Sequence, residues 1–437
     1  MLAVMVLLAI ATLLACNSTY SASTDGLVIV PNLGSAAMQA FSFNLSNGHV
    51  STVNTAPPIL GQPTGMVLDP SGNFAYVSIV YNPDVYQSLT VSSIATYAIN
   101  SGGGLSTAGT PIAMNPTSPA AQNCPSVSLP AMPGALAMDS AGKFLFVSNG
   151  LTPAISVFAI SSGALSEVAG SPFCVPPIQP GTTPNLVGLA VTPTKYPVLN
   201  TQAVQNAACA LWQPLPASTP EYLYVADAND NVVWAFTVSA SGAPVLLTTP
   251  PNTALTFPAQ SVTTGVAVDP CNRFVFVTNN LSNNVSSYAI CNSTSPGRPQ
   301  VCNTNQYPEG SLVQVPGSPF PLGGGGAGPN GPTVLAVDPL ANFLYVVDRQ
   351  SNQLSCFRIS GVNGSLAPLT TAAVATGINP AAIAIRADDN WVFVANNDTV
   401  NGFGVLSQYE LSPATGVLTP FGAGIETDNY PTAVVVK

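Results

Sequence analysis

The chain has 437 residues, of which 6% are charged and 47% apolar, with a net charge of -10; an ordinary soluble domain is roughly 25% charged. With only 8 Lys+Arg there is no basic footprint for nucleic acid or an anionic membrane surface, so neither is expected as a partner. The 42 Pro and 36 Gly break helices throughout and exclude coiled coils and helical bundles, while the apolar content excludes disorder.

Residues 1–15 carry no charged side chain and no Pro and are nearly all apolar, which suits a signal-peptide core and is too short to span a bilayer. Leu13-Leu14-Ala15-Cys16 resembles the lipobox of bacterial lipoproteins, which implies lipidation at Cys16. Residues 16–25 then read as a polar tether, and the mature domain as 26–437. These features place the chain in the bacterial cell envelope, at the outer membrane or facing the periplasm, or secreted. Contact with the membrane is expected only through the lipid.

Three strands follow, at 27–30, 39–45 and 49–53, with no partner strand ahead of them. From there a template recurs: alternating apolar residues, Asp-Pro, a small turn, then aromatic-x-aromatic-Val. It reads Met66-Val67-Leu68-Asp69-Pro70 with Phe74-Ala75-Tyr76-Val77, and Leu136-Ala137-Met138-Asp139 with Phe144-Leu145-Phe146-Val147. A degenerate copy, Leu189-Ala190-Val191-Thr192, has its partner delayed to Tyr222-Leu223-Tyr224-Val225. Val266-Ala267-Val268-Asp269-Pro270 and Leu335-Ala336-Val337-Asp338-Pro339 restore it, Ile383-Ala384-Ile385-Arg386 varies it, and Ala433-Val434-Val435-Val436-Lys437 is a final first half. A second template, aromatic-x-aliphatic, follows each unit at Phe43/Leu45, Tyr97/Ile99, Phe158/Ile160, Phe236/Val238, Tyr288/Ile290, Phe357/Ile359 and Tyr409/Leu411.

Period-two alternation bounded by Pro, Gly and Asn makes these segments strands, with a weaker fourth strand around Gly-x-Leu. Units of about fifty residues with four strands each are propeller blades. The half-unit at the C-terminus complements the three strands at the N-terminus. The sequence therefore predicts an all-β, seven-bladed β-propeller with four-stranded blades, closed by N-terminal strands completing the C-terminal blade.

Phe276-Val277-Thr278-Asn279-Asn280, Phe393-Val394-Ala395-Asn396-Asn397 and Phe146-Val147-Ser148-Asn149 resemble the YVTN-type repeats of lactonase-like seven-bladed propellers, and Gly170-Ser171-Pro172-Phe173 and Gly317-Ser318-Pro319-Phe320 resemble their blade ends. The resemblance spans residues 26–437. It implies the fold, and an activity related to sugar-lactone hydrolysis such as that of 6-phosphogluconolactonase-like proteins.

Propeller ligands bind where the loops joining second to third and fourth to first strands converge. On that face the sequence offers Asp227, Asn229, Asn279, Asp348, Arg349, Asn396 and Asp398, besides Asn32, Asn149, Asp230, Asn280 and Asn397. Amides and carboxylates hydrogen-bond sugar hydroxyls, although tight turns select the same residues for left-handed backbone and side-chain capping. Arg349 is the only cation of the set. Arg386 and Lys437 stand where other units carry Asp and fall on the opposite face, and His49 lies in an outer strand. Asp227-Ala228-Asn229-Asp230-Asn231 begins like a calcium loop but lacks its Gly and distal Glu, so no metal is expected. The Gly323 to Gly328 run lacks the Lys-Ser/Thr of a phosphate loop, and no cofactor is expected.

Seven cysteines remain beyond Cys16. Loop positions suggest the disulfides Cys291 with Cys302, Cys124 with Cys174, and Cys209 with Cys271, leaving Cys356 as a buried thiol. With so few charges to build a catalytic site, the sequence favours a monomeric binding or scaffold module for carbohydrate or an envelope protein over the alternative, a lactonase-type hydrolase acting on a sugar lactone.

Overall fold

In the computed structural model the described residues are 26–53, 59, 61–80, 92–114, 132–150, 152–178, 182–193, 220–249, 253–254, 256–291, 307–322, 331–369, 373–398 and 402–437. The segments assigned to signal peptide, lipidation at Cys16 and tether, and Cys124, Cys209 and Cys302, lie outside them.

Seven antiparallel sheets form the blades. Their innermost strands are Gln62–Leu68, Pro133–Met138, Leu186–Val191, Thr263–Val268, Pro332–Val337, Pro380–Ile385 and Val435–Val436, which number blades 1 to 7. Each of these strands touches the next around the ring, and the last touches the first. Blade 7 is the shared one. Its order from the axis outwards is Val435–Val436, Gly26–Asn32, Ala37–Phe43 and Val50–Val53. Val28 pairs with Val436 and Ile29 with Val435, so the two chain ends close the ring by strand pairing and leave no free edge there.

The second strand of each blade is buried on both faces, which explains its lack of polar alternation. In blade 3, Leu223 and Val225 pack towards blade 2, whereas Tyr222 and Tyr224 pack towards blade 4. The described buried apolar residues fall into seven clusters, one at each seam between neighbouring blades.

The Gly-x-Leu signal marks how the seams lock. The glycine of the third-to-fourth turn, at positive φ, sits against the first large residue of the preceding blade's second strand: Gly163 on Phe74, Gly242 on Phe144, Gly310 on Tyr222, Gly364 on Phe274, Gly416 on Phe343, Gly48 on Trp391 and Gly103 on Leu27. At each one a Cβ would fall within 2.6 Å of that side chain. Glycine supplies the left-handed backbone and the space together.

The fourth strand is interrupted in six blades. In blade 2 it runs Ala164–Glu167 and resumes as Phe173–Cys174, with Gly170-Ser171-Pro172-Phe173 between and across the two parts. Cys174, Cys271 and Cys291 are each disulfide-bonded, and Cys356 is a free thiol. Cys356 is half-buried, and burial together with the Asp348 carboxylate pushes its thiol up to about 12.

Candidate functional site

The face carrying the second-to-third and fourth-to-first connections, here called the mouth, is held together mainly by Asn and Asp. In six of the seven blades a polar residue at or near the end of the second strand bonds back into its own blade. Asn149 Nδ2 donates to Ala154 O and Ser156 Oγ at 3.1 Å. Asn279 Nδ2 donates to Asn284 Oδ1 at 2.7 Å and Ser286 Oγ at 3.0 Å. Asn396 Nδ2 donates to Val405 O at 2.8 Å and Ser407 Oγ at 3.0 Å. In blade 7 Asn32 Nδ2 donates to Gln39 Oε1 at 3.2 Å.

Blades 3 and 5 put carboxylates in the same place. Asp227 Oδ1 accepts from the backbone amides of Asn185, Asn229 and Asp230, and its Oδ2 from Trp234 Nε1 at 3.1 Å. Such a carboxylate is fully occupied by donors. Asp348 Oδ2 accepts from Ser355 Oγ at 2.5 Å, while its Oδ1 is buried with no partner. Burial pushes Asp348 up to about 7, the Ser355 hydrogen bond opposing it.

Asp227, Asn279, Asp348 and Asn396 thus have no solvent-accessible surface. They were expected in a ligand-binding ring; the structure spends them on the hairpins. The signal lay seven residues on, where Ser156, Ser286, Ser355 and Trp234 wait as partners. Asn229 is exposed on blade 3 and donates to Thr183 O at 2.9 Å.

A second set of asparagines, absent from the expected ring, links blades. Asn231, Asn283 and Asn352 hold positive φ at the ends of second-to-third turns. Their Oδ1 atoms accept from Val262 N, Gly331 N and Asn379 N, which precede the inner strand of the next blade. Asn is the ordinary residue that tolerates this backbone while presenting an acceptor.

Arg349 and Asp398 stand apart from these staples. Arg349 is exposed at the mouth of blade 5, and its Nε donates to Asn379 Oδ1 of blade 6 at 2.5 Å. The Asn379 carbonyl in turn accepts from Asn397 N at 3.0 Å. Asn379 therefore joins the guanidinium to Asn397, whose Oδ1 is buried without a partner, and to the adjoining Asp398, which is half-buried. Among the described residues Arg349 is the only cation on this face, and it forms no ion pair with Asp227, Asp348 or Asp398. The sequence named Arg349 and Asp398 but missed Asn379, which lies in a fourth-to-first connection just before Pro380.

The opposite face has different chemistry. In the inner turns Asp139 Oδ1 caps Lys143 N and Phe144 N, and Asp269 Oδ1 caps Arg273 N and Phe274 N. Arg273 is buried, bonds Asp269 Oδ2 through Nε at 2.7 Å and reaches Ala341 O of blade 5 through Nη2 at 3.0 Å. Arg386 pairs with Asp388, and Lys437 Nζ donates to Gly72 O at 2.9 Å. A cleft of about 70 Å³ lies beside Lys437, lined by Leu27, Ile99, Asn100 and Gly103. No group of three or more His, Cys, Asp or Glu side chains placed to hold a metal occurs among the described residues.

The fold is that of a seven-bladed β-propeller. Residues 301–436, which span the outer part of blade 4, blades 5 and 6 and the closing strand, match the family described as lactonase, 7-bladed beta-propeller. Among solved structures the chain is similar to a Bacteroides uniformis protein provisionally named a 6-phosphogluconolactonase, with 17% identity, a TM-score of 0.66, and 94% of this chain and 99% of that chain covered. It is similar to the periplasmic gluconolactonase of Pseudomonas aeruginosa at 17% identity and a TM-score of 0.66, covering 94% and 98%. A Lactobacillus plantarum protein aligns at 15% identity and a TM-score of 0.63, covering 94% and 99%. At these identities the likeness establishes the fold. No curated protein matches the chain by sequence.

Proposed function

We propose that the protein is a hydrolase that opens a sugar lactone at the mouth of the blade 5/6 seam. The observation that carries this reading is that the stretch matching the lactonase family, 301–436, contains the whole Arg349, Asn379, Asn397 and Asp398 arrangement. Opening a lactone adds water to the carbonyl carbon, breaks the ring C–O bond and returns one proton to the leaving alkoxide. Arg349 would donate to the carbonyl oxygen as negative charge develops on it, and Asp398 would accept the proton of the attacking water. With Arg349 the only described cation on this face, an unphosphorylated lactone suits the site better than a phosphosugar, which calls for further Arg or Lys.

The test is turnover of glucono-δ-lactone above its spontaneous rate, with Asp398→Asn expected to lower kcat. Absence of turnover with retained lactone binding would favour the binding-module reading. That second reading is supported by exposed apolar side chains at the mouth, among them Leu281, Phe403 and Tyr430. Anchoring through Cys16 in the bacterial envelope is a further proposal, supported by the Leu13-Leu14-Ala15-Cys16 motif; labelling with radioactive palmitate, abolished by Cys16→Ala, is its test.

A further inference from the structure

The second-to-third hairpin of blade 6 is longer than its counterparts. In blades 2, 3, 4, 5 and 7 the ladder between these strands ends at the staple residue, as at Asn149 with Ala154 and Asp348 with Gln353. In blade 6 it continues past Asn396 through Asn397 and Gly404 to a last pair, Asp398 with Phe403. Two further pairs carry the end of this hairpin about 7 Å beyond the level of those five.

Alternation along the strand fixes where the extension points. Val392 and Val394 pack in the cluster shared with blade 5, and Trp391, Phe393 and Ala395 in the one shared with blade 7. Successive side chains of a strand take opposite faces, so Asn396 and Asp398 belong to the blade 5 side. Phe403, directly paired with Asp398, lies on that side with it, at the close spacing of cross-strand partners. Gly377 in the connection from blade 5 to blade 6 agrees with this direction, because a Cβ there would fall 2.8 Å from Asn396 Cγ. Arg349 reaches the same connection from blade 5 through its hydrogen bond to Asn379.

Asp398 is bracketed by apolar side chains. Pro380 pairs with Asn396, and Asn397 N donates to Asn379 O, a register that sets Ile378 level with Asp398 on the axis side. Phe403 is level with it on the outer side. Ile378 is 40% exposed and Phe403 55% exposed, and neither belongs to the two core clusters of this blade. A single exposed apolar side chain is ordinary on a protein surface. Two of them on either side of one carboxylate, with a guanidinium and an amide alongside, combine apolar wall and convergent polar groups as ligand sites do.

We propose that this seam takes lactones carrying an alkyl or aryl substituent, which lies on Phe403 and Ile378 while the ring carbonyl meets Arg349; this rests on the hydrolase reading above. The substituent does not react. It contributes binding energy remote from the scissile bond, which enters kcat/KM. A neutral, apolar substituent also suits a face whose only described cation, Arg349, is engaged with the carbonyl oxygen. Each methylene that leaves water against these side chains multiplies kcat/KM by about two to four, the upper figure being that of complete burial.

Turnover of δ-hexalactone and δ-decalactone by the full chain, corrected for the spontaneous rate, tests the apolar subsite. The ratio of kcat/KM for the longer to the shorter lactone should exceed about tenfold in wild type and fall by about tenfold in Phe403→Ser, with Ile378→Ser acting in the same direction. Val362→Ser, at an exposed apolar side chain in a third-to-fourth turn on the opposite face, should keep the wild-type ratio. Turnover of both lactones with a ratio near one, or a ratio unchanged in both Phe403→Ser and Ile378→Ser, would overturn the subsite and leave the hydrolase reading standing. If no lactone, glucono-δ-lactone included, is opened above its spontaneous rate, the hydrolase reading fails and thermal shift decides the subsite. A Tm rise larger with δ-decalactone than with δ-hexalactone, and lost in Phe403→Ser, would uphold it; equal or absent rises would overturn it.

Discussion

Asp348→Asn should stabilise the protein, and by an amount that depends on pH. Asp348 occupies the staple position where blades 2, 4 and 6 carry Asn, and its partner Ser355 corresponds to Ser156 and Ser286. An unfolded aspartate titrates at about 3.9; in the fold, burial pushes Asp348 up to about 7. Because the folded value is the higher one, the group favours folding fully only below about pH 4, and the advantage is lost as pH rises towards 7 and beyond. The loss grows by about 2–3 kcal/mol between about pH 5 and about pH 8. Asparagine escapes this loss and restores the amide-to-serine bond of its sister blades. Reversible urea unfolding of both proteins at the two pH values measures it: the variant should be the more stable at the higher pH and its margin should shrink in acid. A margin independent of pH, or a variant less stable at alkaline pH, would refute the reasoning that this carboxyl is a buried, charged member of the staple.

The glycine locks predict a pair of contrasting costs. Gly364→Ala should lose about 2–4 kcal/mol, because the left-handed backbone and a clash with the Phe274 ring add, while Gly422→Ala, equally left-handed but with open space around it, should lose only about 1 kcal/mol in the same unfolding assay. Arg273→Leu leaves the Asp269 carboxylate buried and unpaired, and should cost about 3–5 kcal/mol by chemical unfolding. Peptide mapping without reduction should join Cys174, Cys271 and Cys291 each to one of Cys124, Cys209 and Cys302, and leave Cys356 alkylated only after unfolding.

Architecture was largely legible in the sequence because a blade is a local object. Each strand is signalled by alternation within a few residues, three of the inner turns by Asp-Pro and the others by variants of it, and the closing blade by a half-unit at one end that completes three strands at the other. The site was legible only in part because it is made between blades. Asn149, Asn279, Asp348 and Asn396 look the same whether they point into a channel or into their own hairpin, and only the partner seven or more residues downstream decides. Arg349 and Asp398 could be placed on the mouth from strand order, but their link through Asn379 depends on how one blade's exit loop meets the next. The scarcity of charge, read first as an argument for binding over hydrolysis, is better understood as what a doubly buried blade requires, with several of the remaining carboxylates capping turns or stapling hairpins of their own blade.

The central claim is that the blade 5/6 mouth hydrolyses a lactone through Arg349. Its most direct test is the kcat for glucono-δ-lactone opening by wild type and Arg349→Ala, followed by proton release at constant pH with Tm checked to be unchanged. Loss of a single donor to a developing oxyanion should lower kcat by about 10²–10³-fold. Wild-type turnover indistinguishable from the spontaneous rate, or a variant as active as wild type, would contradict the account.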